Sequence, residues 1–324
     1  MSILVTGAGG YVGQELTAAL LESTSPGTRL VITDVLAPPT LLPSAEKHAS
    51  RVRSVQADLT SPQVVDTLIK NSNPYDAVYI LHGIMSSGSE ANFELGFQVN
   101  FDSVRYILER LRATMPGVKT VYTSALAVYG LAEPGFVINE RNFPTVPRSS
   151  YGSQKLMVEL LINDYSRRGF LDGRCLRLPT VTVRPGKPTQ AASSFASGIV
   201  REPFNGEKAI LPVSPETELW ICSPHTVVKN LVLAKDIPKE AFGDTRSVNL
   251  PGLKLSVQQI LDALEEVGGK ERRDLVEEKH DEEINKIVQS WPPNYDTARA
   301  AKLGFSEDVP FIETVKRYAT QYAK

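Results

Sequence analysis

Thr6-Gly7-Ala8-Gly9-Gly10-Tyr11-Val12-Gly13 decides the reading of this chain. The segment follows a short β-branched run, Ile3–Val5, and opens an amphipathic stretch from Tyr11 to about Glu22. In that stretch Val12, Leu16, Ala19 and Leu20 recur at helical spacing. The three glycines answer separate demands: Gly7 permits a tight turn, Gly10 lets the backbone approach a pyrophosphate, and Gly13 lets helix and strand pack closely. Unsatisfied N–H groups at the helix start, around Tyr11 and Val12, are placed to receive that pyrophosphate. Asp34 closes the next apolar run, Leu30–Thr33. A carboxylate there accepts hydrogen bonds from ribose hydroxyls and repels a 2′-phosphate, and Val35–Ala45 has no Lys or Arg to welcome one. The expected cofactor is NAD rather than NADP.

Outward from this segment the chain alternates strand and helix signals. Val52–Gln56, Ala77–Leu81, Val118–Tyr122 and Arg174–Leu178 read as buried strands. Pro62–Lys70, about Glu90 to Met115, and Tyr151–Arg168 read as helices between them. That alternation predicts an α/β fold, a Rossmann-type doubly wound parallel sheet with a smaller C-terminal substrate lobe. The expected division is a cofactor domain over 1–175 and a substrate lobe over 176–324, with segments of the lobe returning to the sheet. Helical patterns at 256–267 and 309–322 close the chain. Asp58 and Leu59 follow the third strand; Asp58 lies either beside the adenine or at the head of the next helix.

Composition removes other classes. The 324 residues carry 35 Lys+Arg against 37 Asp+Glu, a net charge of −2, so no basic excess points to nucleic acid or an anionic membrane. Two cysteines, Cys175 and Cys222, suit a reducing compartment and cannot build a disulfide scaffold. Four scattered histidines lack ligand spacing, so no metal site is expected. No apolar run approaches the roughly 20 residues of a bilayer span. The expectation is a cytoplasmic protein.

Tyr151 and Lys155 stand at i and i+4, on one face of a helix that follows the fifth strand. An ammonium beside a phenol favours phenolate, and moving a Tyr pKa from about 10 toward 7 takes about 4 kcal/mol of differential interaction. Such a phenolate would take a hydroxyl proton while hydride passes to a nicotinamide.

These residues together resemble the extended short-chain dehydrogenases/reductases: Gly7-x-x-Gly10-x-x-Gly13, Tyr151-x-x-x-Lys155, the segment Thr123-Ser124-Ala125-Leu126-Ala127-Val128-Tyr129-Gly130, and Asn100 in Val99-Asn100-Phe101. Several stretches are similar to the D-erythronate dehydrogenases of that group: Phe93-Glu94-Leu95-Gly96, Ser149-Ser150-Tyr151-Gly152-Ser153-Gln154-Lys155, Arg177-Leu178-Pro179-Thr180-Val181, and Arg184-Pro185-Gly186-Lys187-Pro188 through Ser193-Ser194-Phe195 to Arg201-Glu202-Pro203. The resemblance implies NAD-dependent oxidation of a small sugar acid, D-erythronate to 2-oxo-tetronate, at the hydroxyl beside the carboxylate. It also implies that Ser86 and Asn100 belong to the cofactor site, and, by analogy with relatives, a homodimer.

One position departs from the family. Where the third catalytic hydroxyl usually stands, five residues before Gly130, this chain has Ala125. Either the strand end bulges and Ser124 serves, or the hydroxyl is missing; Ser124 is the residue named. On the substrate side, Gly173–Arg201 contains no Asp or Glu but carries Arg174, Arg177, Arg184, Lys187 and Arg201. A small hydroxy acid needs a cation for its carboxylate and hydroxyl-bonding groups for its polyol. Arg184 or Lys187, with Ser86, Ser124, Ser193 and Ser194, are the candidates, and Thr180 is expected at the nicotinamide. Trp220 and Trp291 read as core. The competing readings are a nucleotide-sugar epimerase or dehydratase and an NAD-binding sensor without turnover.

Overall fold

The apolar runs of the first half become strands β1 (Ser2–Thr6), β2 (Arg29–Asp34), β3 (Val52–Gln56), β4 (Ala77–Ile80), β5 (Lys119–Ala125) and β6 (Asp172–Leu178). The computed structural model describes residues 1–37, 39–70, 74–188 and 191–323. The strand Ser247–Asn249, from late in the chain, completes a seven-stranded parallel sheet. Its spatial order is Ser247–Asn249, β6, β5, β4, β1, β2, β3. Parallel strands buried on both faces need helices on both faces. Helices α1 (Tyr11–Ser23) and, later in the chain, Pro224–Ala234 cover one, burying Leu16, Leu20, Val227 and Leu231. The other is covered by α2 (Pro62–Lys70), α5 (Ser103–Thr114) and α6 (Ser150–Arg167), through Leu68, Ile107, Val158 and Ile162. The doubly wound architecture is therefore the expected one.

The helix expected over about 90–115 is instead broken into α3 (Ser86–Ala91), α4 (Phe93–Phe97), a π turn at Gln98–Asp102, and α5. Asn92 adopts extended backbone (φ −141°, ψ 91°) and its side chain accepts the Leu95 N–H at 3.0 Å, capping α4. The π turn directs Asn100 inward, where it receives the Ile84 N–H and donates to Ile84 O, Ser89 Oγ and Gln154 Oε1. A uniform helix would not deliver that residue to four partners. A further apolar cluster in the second half of the chain includes Ile199, Phe204, Ile260, Leu264, Phe311 and Val315.

The order of the sheet reverses between β1 and β4, and the crevice beyond their carboxyl ends is where such sheets take ligands. The two loops interlock there. Gly7 has φ +69°, and a Cβ on it would stand 2.5 Å from the backbone N of His82. His82 is a bolt behind that contact: its Nδ1 meets Thr6 Oγ1 and its Nε2 meets Ser103 Oγ, each at 2.7 Å. Burial, helped by the nearby Lys155 charge, pushes the His82 pKa down to about 3, so the ring stays neutral. Among the described residues no helix is long and apolar enough to cross a membrane.

Candidate active site

A cleft of about 670 Å³ opens over the sheet's switch point. One wall is the glycine segment, with Gly7, Gly10, Tyr11, Val12 and Gly13 all bordering the space. Gly13 is the close-packing glycine in fact: a Cβ there would meet Gly7 O at 2.3 Å. Gly10 differs, since it has ordinary extended backbone and a Cβ on it would only touch Gly7 O at 3.4 Å. It leaves a bare backbone cradle of the kind a dinucleotide pyrophosphate fills. Asp34 is outside the cleft lining but tied to this wall, its carboxylate accepting the Gly9 and Val35 N–H groups at 2.9 and 2.8 Å. NAD thus fits the residues present. Exchanging Asp34→Ala should lower the preference for NAD over NADP by at least about tenfold, read as the ratio of kcat/KM values for the two cofactors.

The facing wall is built by α6. Ser149 caps that helix by accepting the Gly152 N–H at 3.1 Å, an interaction worth about 1 kcal/mol. Gly152 lets the helix start lie against the turn Leu126–Val128 that follows β5, because a Cβ there would reach 2.1 Å from Ala127 O. Tyr151 and Lys155 are thereby brought to the cleft together. Lys155, 2% exposed, donates to Thr123 O at 2.9 Å, and its Nζ lies 4.7 Å from the Tyr122 ring centre and 5.5 Å from that of Tyr151. Burial lowers the Lys155 pKa to about 8, against the pull of Glu159. The Tyr151 phenol moves opposite to expectation. Burial pushes it up to about 12, and Arg184 is the group that works against this. Desolvation outweighs the neighbouring cation because burial penalises the charged phenolate.

Ser124 borders the cleft, but its hydroxyl is turned away and donates to Glu159 Oε1 at 2.5 Å. The strand does not bulge: β5 stays in register with β6 through Ala125 and Leu178, and Ala125 is fully extended (φ −143°, ψ 154°). Regular alternation therefore sends residues 124 and 125 to opposite sides. The cation stretch also divides. Arg174 pairs with Asp172 and Arg177 with Glu159, all within the core, so neither offers charge to a ligand. Arg184, Lys187 and Arg201 border the cleft. Arg184 is mostly enclosed, its pKa lowered by burial and by Arg201, whose own guanidinium donates to Arg184 O and to Glu202.

Ser86, Thr180 and Ser193 border the cleft as well. Ser86 Oγ accepts the Ala192 N–H at 3.0 Å. Ser194 instead borders a neighbouring groove, beside Arg201 and Glu202. Asn100, 1% exposed, grips Ile84 and Gln154 behind the cleft wall. Asp58 is exposed and closes a turn by accepting both the N–H and hydroxyl of Thr60, and Leu59 is core under α2. Trp220 and Trp291, read as core, border the cleft as well, as do Arg201 and Tyr322. No local motif marks Trp220, Trp291 or Tyr322; a strand, a loop and the last helix, distant in sequence, deliver them. Among the described residues no group of His, Cys, Asp or Glu is arranged to hold a metal ion.

Comparison with known proteins adds three findings. The profile of the NAD dependent epimerase/dehydratase family matches residues 3–220. D-erythronate dehydrogenases of Haemophilus influenzae and Cupriavidus necator are 40% and 41% identical over 318 and 329 aligned residues, and each alignment covers 98% of both chains. The crystal structure of a nucleoside-diphosphate-sugar epimerase from Agrobacterium tumefaciens superposes with a TM-score of 0.89 at 34% identity, covering 99% of this chain and 94% of that one.

Proposed function

This chain belongs to the NAD dependent epimerase/dehydratase family and is an NAD-dependent oxidoreductase, and on that premise we propose that it oxidises D-erythronate to 2-oxo-tetronate. One observation carries the reading: the mostly enclosed Arg184 guanidinium and the Tyr151 phenol border the same cleft. In a 2-hydroxy acid the carboxylate and the reacting hydroxyl are on adjacent carbons, so a cation and a proton-transfer group in one cleft match that pair of groups. Near-full-length similarity to two D-erythronate dehydrogenases supports the same substrate.

When bound, NAD supplies the two-electron acceptor. Gly7, Gly10, Tyr11, Val12 and Gly13 would hold its pyrophosphate, and Asp34 its adenosine ribose. Arg184 orients the substrate carboxylate, with Ser193 and Lys187 bordering the remaining polyol. Tyr151 must first give up its own proton, which burial opposes and Arg184 favours; as phenolate it takes the hydroxyl proton, and the buried Lys155 ammonium holds the site's positive charge against Thr123 O. The hydroxyls at the end of β5 are engaged elsewhere, Thr123 Oγ1 donating to Ile80 O and Ser124 Oγ to Glu159, while Ser86, whose oxygen already accepts from Ala192, has its own proton to give in the cleft.

The test is NADH formation by purified protein offered NAD with four- to six-carbon aldonates, uronates and UDP-sugars. NADH with D-erythronate as the preferred substrate is the expected result. Interconversion of UDP-hexoses without net NADH would replace this reading with the epimerase one, to which the Agrobacterium tumefaciens structure's name points. Arg184→Met should raise KM for the sugar acid by about 30- to 1,000-fold, the loss typical of one buried charged partner, while KM for NAD holds within about twofold.

A further inference from the structure

Glu159 lies one helical turn beyond Lys155 on α6, so Tyr151, Lys155 and Glu159 form one row (i, i+4, i+8). It is 2% exposed and outside the cleft lining, yet it is held from three strands. Arg177 of β6 donates to it through Nε at 3.0 Å and Nη2 at 2.6 Å, Ser124 of β5 at 2.5 Å, and Ser247 of the edge strand at 2.8 Å. Buried ion pairs are poor stabilisers, and apolar residues of similar volume commonly hold a fold as well. A carboxylate gathered this closely beneath a reactive pair asks for another reason.

We propose that Glu159 is a positioning residue for the reaction: through Ser124 it locks the end of β5 to α6, setting the Thr123 carbonyl that receives the Lys155 ammonium. Thr123 and Ser124 are successive residues, so the bond at Ser124 fixes the peptide whose carbonyl faces Lys155. The Glu159 charge acts on Lys155 in the same sense, favouring its ammonium form. The other ionisable groups packed around the pair are His82 from the β4 end, Tyr122 of β5, Tyr151 of α6, and, around Glu159, Cys175 and Arg177 of β6 with Tyr129 and Glu140 beyond them. His82 is neutral, and Arg177 is already bound by Glu159, so Glu159 is the carboxylate that works on Lys155. This inference rests on Tyr151 and Lys155 being the reactive pair, and is independent of the substrate's identity.

The test uses protein carrying isotope-labelled lysine. The Lys155 signal is assigned by its absence in Lys155→Met and titrated by NMR, with no turnover required. Wild type should titrate near 8. Glu159→Gln paired with Arg177→Met, which avoids stranding a buried cation, should move that midpoint down by about one unit or more. Ser124→Ala keeps the charge; it should leave the midpoint in place and lower kcat about tenfold, with KM for NAD unchanged. An unmoved midpoint in the double variant, or a Ser124→Ala kcat equal to wild type, overturns the proposal. Failure of the substrate reading would show separately, as wild type inert towards D-erythronate with the Lys155 titration as stated.

Discussion

Tyr151→Phe should reduce kcat by about 10²- to 10⁴-fold while the protein folds as before and binds NAD with unchanged affinity. The expectation is specific because the substitution deletes one oxygen and keeps the ring. Its ring centre lies 5.5 Å from the Lys155 ammonium, and among the described residues no hydrogen bond from the phenol ties it into the core. The loss therefore belongs to proton transfer rather than packing. Melting temperature, NAD affinity by calorimetry and NADH formation together separate the two. A Phe variant retaining more than about a tenth of wild-type turnover would remove Tyr151 from the mechanism. So would equal loss of turnover and stability.

The second large effect distinguishes two glycines that look alike in sequence. Gly7→Ala places a methyl 2.5 Å from His82 N, and the residue's φ of +69° disfavours any side chain. The neighbour is backbone, bolted by the His82 ring to Thr6 and Ser103, and cannot step aside. The variant should lose several degrees of melting temperature and bind NAD at least about a hundredfold more weakly. Gly10→Ala meets only a 3.4 Å contact in ordinary extended backbone, so it should melt with wild type. Its methyl occupies the cradle, however, and NAD affinity should still fall by at least about tenfold. Differential scanning fluorimetry with and without NAD checks both at once. A Gly10→Ala protein bound and stabilised by NAD like wild type would mean the pyrophosphate lies elsewhere.

Several features were legible without coordinates. The alternation of apolar runs with amphipathic stretches specified the parallel sheet, since strands buried on both faces have one dominant composition and helices covering them another. The break at Asn92 and the π turn at Asn100 were not legible. An amphipathic pattern persists across such irregularities, and what selects them is the set of partners Asn100 reaches, which are distant in sequence. The same limit explains the cations. Arg174, Arg177 and Arg184 look equivalent along the chain, but two of them point to carboxylates in the core and one borders the cleft.

Sequence alone determined the fold class and the family, because the glycine segment, Asp34 and the Tyr151/Lys155 spacing are local demands of backbone geometry and helical period. It also posed the question at Ala125 without answering it. Tertiary structure decided that Ser124 turns to Glu159, that burial raises Tyr151 and lowers Lys155, and that Trp220, Trp291 and Tyr322 come to the cleft. Each of those outcomes depends on which distant groups share one enclosed space. Desolvation and charge act through space, and the order of residues along the chain does not encode which neighbours that space contains.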